Sequence, residues 1–340
     1  MEKTILLTGA TGYIGSHTWC VLINAGYNVI GMDNLSNSTA EVVRCVAEIT
    51  QTQPYFEEGD VRDSVFLIKL FSRHKIDAVI HFAALKAVGE SVVNPLAYYD
   101  TNLNGLLTLT KVMALHMVKN LIFSSSATVY GDPHEVPIKE NFPLTATNPY
   151  GRTKLMGEQI LRDLEHSDDA WRIAYLRYFN PVGAHKSGLI GDDPSGIPNN
   201  LMPFVAQVAI GKLDKLYVYG GDYPTADGTG VRDYIHVMDL AQGHVLSVSR
   251  LFNSGASFTV NLGTGMGYSV LDIIHAYQKA SGRPIPYKII ERRQGDIATC
   301  YADPALAAEI LDWNSIRGLD EMCADSWNWQ LKNLYGFFND

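Results

Sequence analysis

Short apolar, β-rich runs recur along the first half of the chain at Thr4 to Thr8, Val29 to Met32, Ala78 to Phe82, Leu121 to Ser124 and Ile173 to Arg177, with helical periodicity between them. Such runs fit strands covered on both faces, and connections of this length suit helical crossovers between parallel neighbours. The expected fold is therefore α/β: a Rossmann-type doubly wound parallel sheet followed by a smaller, loop-rich α/β C-terminal substrate lobe. Asn94-Pro95 opens one helical stretch, to about Met117, and Asn148-Pro149 opens another; in each, the asparagine is expected to cap and the proline to take the first turn. After Asn180-Pro181-Val182-Gly183 the pattern becomes irregular, with Gly, Pro and Asp crowded into Gly188 to Pro198 and Gly220 to Gly230. Val237 to Leu251 is helical again and Phe258 to Leu262 reads as a buried strand, so about 237-263 is expected to return to the first sheet. The limits drawn from this are 1-180 for the first domain and 181-340 for the second lobe.

The first strand leads into Thr8-Gly9-Ala10-Thr11-Gly12-Tyr13-Ile14-Gly15 and then an apolar-periodic helix. Glycines at 9, 12 and 15 depart from the commoner G-x-G-x-x-G spacing but serve the same physics. The backbone can approach a pyrophosphate, the unpaired amides of the helix start point at it, and the last glycine permits close helix packing. A plain strand-to-helix turn would also satisfy this segment taken alone. Eighteen residues past Gly15, however, the second strand ends in Asp33, near the interval expected of an acid that accepts from adenosine ribose hydroxyls. Its charge repels a 2′-phosphate and no Lys or Arg follows as far as Ala40, so NAD is favoured over NADP. Gly59-Asp60-Val61 suits contact with an adenine ring, although an ordinary strand-end aspartate fits that segment equally well. Phe82-Ala83-Ala84 closes the fourth strand with small residues where a cofactor would pass.

Tyr150-Gly151-Arg152-Thr153-Lys154 lies on the helix begun by Asn148-Pro149, and residues four apart share a helix face. A phenolate base at pH 7 needs the tyrosine pKa lowered by about three units, roughly 4 kcal/mol. Lys154 and a positive nicotinamide ring together would supply that. Of the 18 tyrosines, Tyr150 alone has a lysine four places on. The preceding strand ends in Ser124-Ser125-Ser126, and a hydroxyl at the carboxyl edge of a parallel strand lies where ligands bind in open sheets. Ser126 is then placed to donate to a substrate oxygen or to relay its proton to Tyr150; ordinary strand-end polarity is the alternative.

With 340 residues, 46% hydrophobic and 19% charged, the chain can bury a large core and form two lobes. The net charge of -9 argues against a nucleic-acid surface, and it suits a dianionic diphosphate only where arginines gather, with Arg232, Arg292 and Arg293 as candidates. Cysteines at 20, 45, 300 and 323 follow no zinc or disulfide spacing, and no metal site is expected. No apolar run approaches the roughly 18 residues of a membrane span, and the N-terminus lacks the pattern of a signal peptide, so a cytoplasmic protein is expected.

These motifs, with His81 to Ser91, Ser124 to Gly131, Arg177 to Ala184, Ile197 to Pro203 and Asp227 to Val237, resemble the extended short-chain dehydrogenase/reductase family and, within it, the UDP-galactose 4-epimerases, over nearly the whole chain. The resemblance implies bound NAD, interconversion of UDP-galactose and UDP-glucose through a 4-keto sugar, and a homodimer pairing through the helices after Pro95 and Pro149. It implies catalytic roles for Ser126, Tyr150 and Lys154. To the cofactor, besides Ser126, Tyr150 and Lys154, it assigns Gly9, Gly12, Tyr13, Ile14, Gly15, Asp33, Asn34, Leu35, Ser36, Asn37, Ser38, Asp60, Val61, Phe82, Ala83, Ala84, Leu85, Lys86, Asn102 and Phe179. To the substrate, besides Lys86, Ser126 and Tyr150, it assigns Asn180, Asn200, Leu201, Tyr217, Val218, Tyr219, Arg232, Tyr234, Arg293, Asp296 and Cys300. Ala84 departs from the glycine common in relatives. Cys300 stands where a bulky tyrosine in relatives accompanies exclusion of N-acetylated sugars, so UDP-N-acetylglucosamine and UDP-N-acetylgalactosamine are expected substrates as well; the alternative is a buried small hydrophobe. Relatives that act as 4,6-dehydratases carry an Asp-Glu pair where this chain has Ala127-Thr128. A catalytically silent NAD-binding regulator would have no need of Ser126, Tyr150 and Lys154.

Overall fold

Three consecutive side chains of the first strand, Ile5, Leu6 and Leu7, are entirely buried, as a strand covered on both faces requires. The computed structural model describes residues 3–193, 198, 200–293 and 296–337. Along the chain run β1 (Thr4–Thr8), α1 (Tyr13–Asn24), β2 (Asn28–Asp33), α2 (Glu41–Thr50), β3 (Tyr55–Glu58), α3 (Ser64–Arg73), β4 (Ala78–His81), α4 (Val88–Val93), α5 (Pro95–Tyr99), a π-helical turn (Asp100–Asn104), α6 (Gly105–Leu115), β5 (Asn120–Ser126), a 3-10 turn (Ala127–Tyr130), α7 (Pro149–Ser167) and β6 (Arg172–Tyr178). Then follow β7 (Asn180–Val182), α8 (Leu201–Ala209), β8 (Leu216–Tyr219), β9 (Val231–His236), α9 (Val237–Ser254), β10 (Phe258–Leu262), β11 (Gly267–Ser269), α10 (Val270–Ser281), β12 (Tyr287–Ile290), β13 (Thr299–Cys300), α11 (Ala305–Leu311) and α12 (Leu319–Lys332).

The central sheet has seven strands in the order β10-β6-β5-β4-β1-β2-β3, and the pairings from β3 through to β6 are parallel. This is the doubly wound dinucleotide-binding order, whose direction of growth reverses between β1 and β4. Thr8 and His81 are paired at that reversal. The described chain divides into two compact units: Met1–Gly131, Pro143–Tyr178 and Ala241–Val260 make the first; Asp132–Phe142, Phe179–Leu240 and Asn261–Asp340 the second. The first unit's core joins Leu6, Ile30, Leu67, Leu70, Leu106, Leu109, Phe123 and Leu161. In the second, Val205, Leu216, Tyr234, Ile273, Tyr277, Met322 and Trp327 pack together.

The Asn148-Pro149 helix start forms as its sequence predicts: the Asn148 side chain accepts from the Gly151 amide at 2.8 Å with Pro149 in the first turn. The Asn94-Pro95 start does so only in part, with Pro95 in the first turn of α5. Asn94 ends α4, an element the sequence pattern did not reveal, and at φ -130 and ψ 62 its side chain caps nothing. The single helix expected from Pro95 to Met117 is instead α5, the π-turn and α6, because residues 100–104 widen into a turn that brings the Asn102 side chain onto the backbone of Leu85.

Candidate active site

The turn after β1 closes at a spacing that only glycine allows. Gly9 takes a φ of 70°, and a methyl group on it would lie 2.7 Å from the Ala83 amide nitrogen; one on Gly15 would lie 2.1 Å from the Gly9 carbonyl oxygen. Helix α1 therefore starts hard against the turn. Its cap, Gly12, has no side chain to occupy the free amides, so N–H groups and the positive end of the helix dipole are presented to an anion. Asp33, buried at the end of β2, accepts from the Thr11 amide at 3.1 Å and the Leu35 amide at 3.0 Å, with the Ser38 hydroxyl at 3.4 Å. A carboxylate offers about four lone-pair directions, which leaves Asp33 acceptor capacity for ribose hydroxyls. The Ser36 amide donates to Asn34, shaping the segment that runs through Asn37.

Asp60 is more heavily engaged. It accepts from the Asn34 side chain at 2.9 Å and from Arg62 Nε and Nη2 at 3.0 and 2.8 Å, and the Arg62 fork holds its carboxyl well below the usual carboxylate range. Arg62 also reaches Asp100 on the π-turn at 2.5 Å. Val61 is buried beside Asp60. From the same π-turn Asn102 accepts from the Leu85 amide at 2.8 Å, and donates to the Leu85 carbonyl at 3.0 Å and the Thr153 hydroxyl at 2.9 Å. The loop Phe82–Lys86 is thereby fixed, and the Lys86 ammonium sits 5.7 Å from the centre of the Tyr13 ring. Together these groups fit a dinucleotide: helix amides for the pyrophosphate, Asp33 for the ribose.

At the end of β5, Ser126 Oγ accepts from the Thr128 amide at 3.2 Å and the Thr128 hydroxyl at 3.0 Å. Its own proton is left for the Tyr150 phenol, to which it is hydrogen-bonded. One turn on, Lys154 Nζ donates to the Ser124 carbonyl at 2.6 Å and stands 6.0 Å from the centre of the Tyr150 ring. The structure thus brings the three expected catalytic side chains together. Burial raises the Tyr150 phenol while the Ser126 bond lowers it, and burial brings the Lys154 ammonium down to about 7. The expectation joined Lys154 with a positive nicotinamide ring in lowering the tyrosine pKa; in the chain by itself, burial in a low-dielectric site disfavours both charges. His81, bonded to Thr8 at 2.9 Å, is pushed down to about 3 by burial and by Lys154, and is neutral.

In the second unit, Phe179 is buried and its amide donates to Leu262. Asn180 on β7 and Asn200 at the start of α8 are exposed, and Leu201 is half-buried. Tyr217 and Tyr219 stand out from β8 on either side of the buried Val218. Arg232 pairs in register with Cys300, both within the sheet built on β9, and its guanidinium donates to the Val231 carbonyl at 2.8 Å. Tyr234 is buried, which pushes its phenol up to about 12. Arg293 binds Asp296 at 3.0 Å and lies 4.8 Å over the Tyr219 ring. Arg292 is held instead by Asp222 at 2.7 Å. Ile197 and Asn199, part of a motif quoted above, lie outside the described residues. Cys300 is buried, and burial pushes its thiol up to about 11.

Sequence reasoning missed Thr11, Arg62 and the buried pair Glu158–Arg177. Only Glu158 left a local signal, four residues after Lys154. Among the described residues no helix is long and apolar enough to cross a membrane.

A family model described as GDP-mannose 4,6 dehydratase matches residues 6–326. The chain is 59% identical over 333 residues to a UDP-glucose 4-epimerase of Bacillus subtilis (strain 168), covering 98% of each sequence. Among solved structures it is similar to a UDP-glucose 4-epimerase from Bifidobacterium longum in complex with NAD+ and UDP, at 55% identity and TM-score 0.95, covering 98% of this chain and 100% of that one. A UDP-Glc/GlcNAc 4-epimerase from Campylobacter jejuni matches at 35% identity and TM-score 0.85, covering 97% and 99%.

Proposed function

Because the chain belongs to the UDP-glucose 4-epimerases, within the extended short-chain dehydrogenase/reductase family, we propose that it interconverts UDP-galactose and UDP-glucose with Tyr150 as the base. The observation that carries this reading is the cluster of Ser126, Tyr150 and Lys154 at the carboxyl end of β5, the edge of the sheet at which β1 runs into the glycine turn. Tyr150 takes the proton from the sugar C4 hydroxyl. Ser126, its own oxygen already receiving two bonds from Thr128, donates to the phenolate and steadies it. Lys154, fixed on the Ser124 carbonyl, orients ligand hydroxyls beside the tyrosine. Bound NAD supplies the hydride acceptor and donor for C4, by way of a 4-keto sugar, and leaves no net redox change. The elimination performed by a 4,6-dehydratase needs a further acid and base, and Ala127 and Thr128 offer no carboxyl.

The diphosphate is assigned to Arg232 and Arg293, whose planar forks suit two phosphate oxygens, and the uridine to the segment Tyr217–Tyr219. Cys300 leaves room for an acetamido group at C2, so the N-acetylated pair is included among the substrates; the similarity to an epimerase named for both sugars supports this. The chain is taken to act in the cytoplasm as a homodimer. Val92, Val93, Leu96, Leu115 and Met156 are exposed on α4 to α7, and light scattering of the purified protein tests the pairing. The decisive experiment is a coupled assay on UDP-galactose with purified protein and no added NAD. Turnover is expected, and Tyr150→Phe should abolish most of it while the protein stays folded. A Tyr150→Phe variant with wild-type turnover overturns the assignment.

A further inference from the structure

Glu158 lies one helical turn beyond Lys154 on α7, and its carboxylate is buried against Arg177 of β6, with side-chain exposures of 4% and 5%. Arg177 Nε and Nη2 meet the two carboxylate oxygens at 2.9 and 2.6 Å, a bidentate pair. The same pair reaches both sides of Ser126. Ser125 donates to Glu158 Oε1 at 2.5 Å, and Arg177 Nη1 donates to the Tyr130 hydroxyl at 3.1 Å. Ser125 immediately precedes Ser126, and Tyr130 closes the 3-10 turn that follows it.

A buried ion pair recovers in attraction roughly what it loses in desolvation, so a hydrophobic pair of similar volume would serve the core about as well. Such a replacement cannot aim hydrogen bonds at Ser125 and Tyr130. We propose that Glu158 and Arg177 are a positioning pair that fixes the turn carrying Ser126 relative to α7, and so sets the Ser126–Tyr150 hydrogen bond. This rests on the reading of Tyr150 as the base. Neither residue touches the reacting atoms; both act through Ser125, Tyr130 and the helix that bears Tyr150.

The test uses the full-length enzyme as purified, with Glu158→Gln and the volume-matched double variant Glu158→Leu/Arg177→Met. The double variant removes both charges at once, so it remains testable where an unpaired buried arginine would unfold the single variant. In a folded variant kcat should fall by about 10- to 100-fold, the scale of a misplacement near 1 Å, with KM within two-fold. Hydrogen exchange of the amides at 125–131 should speed up, and the acid limb of the pH profile should move, since the Ser126 bond tunes the phenol. A folded variant whose kcat stays within three-fold of wild type, or that loses activity only through KM, overturns the proposal. Tyr150→Phe measured in parallel keeps the two ideas separable: wild-type turnover there defeats the base assignment whatever Glu158 does.

Discussion

Two alanine substitutions in one turn should fail in different ways. A methyl on Gly15 would sit 2.1 Å from the Gly9 carbonyl oxygen and 3.0 Å from that of Ala10, about 1.3 Å short of the 3.4 Å at which ordinary contact begins. Both obstacles are backbone, so α1 as a whole must retreat from β1. Overpacking of this kind costs about 1–3 kcal/mol, and here it also withdraws the helix amides. A methyl on Gly12 meets the Gly9 oxygen at 3.3 Å, which a shift of a few tenths of an ångström relieves. Its cost falls on the ligand, because the methyl occupies the approach to the free amides of the helix start. Losing one charge-assisted hydrogen bond there costs about 1.5–3 kcal/mol, or roughly 10- to 150-fold in affinity. The assay is thermal melting together with the nucleotide released per chain on denaturation. Gly12→Ala should melt near wild type and carry little NAD; Gly15→Ala should lose both melting temperature and NAD. A Gly12→Ala protein that keeps full NAD, or a Gly15→Ala protein that melts like wild type, refutes the reasoning.

Asp33→Asn should retain less NAD and discriminate less against NADP, by at least about 1 kcal/mol, the water limit for two unit charges 4 Å apart; an unchanged ratio of released nucleotides would count against the ribose role. Cys300→Tyr should lower turnover of the N-acetylated sugars at least ten-fold, on the order of 1.4 kcal/mol, and spare the non-acetylated pair, and a wild type inactive on acetylated sugars ends that idea. In the nucleotide-free chain, an unfolded lysine holds its proton up to about pH 10.4 whereas buried Lys154 gives it up at about 7, so the folded state binds fewer protons between these values. Stability relative to Lys154→Met should therefore rise with pH across that window, by up to about 1.4 kcal/mol per unit, and a flat difference in urea melts refutes it. Arg177→Met alone should lose about 3–5 kcal/mol by stranding Glu158, most of which the double variant with Glu158→Leu should recover.

What the sequence disclosed was local. The interval from Gly15 to Asp33, the Asn148-Pro149 start and the four-residue step from Tyr150 to Lys154 each follow from the geometry of one strand, one cap or one helix turn. The strand at Phe258–Leu262 was legible because Phe258, Val260 and Leu262 recur at every second position over a run of the right length. Arg62 with Asp100, and Glu158 with Arg177, join residues on different elements, and no periodicity marks either two as partners. Asn94-Pro95 misled for a related reason: the motif for a cap was present, but the chain arrives there from α4 with the wrong backbone angles to use it. The burial that raises the Tyr150 phenol is likewise something a sequence does not state.

The π-turn makes the loop beside the glycine turn and the helix that carries Tyr150 a single mechanical part. One amide, Asn102, is bolted to both backbone groups of Leu85 and to Thr153, three residues past Tyr150. Slack introduced at either end is felt at the other without any change in Ser126, Tyr150 or Lys154. A wide turn tolerates one residue more than an α-helix needs, and deleting that residue would restore a regular helix while rotating Asn102 off its anchor. The irregularity is thus a tensioner: straightening the helix would loosen the site.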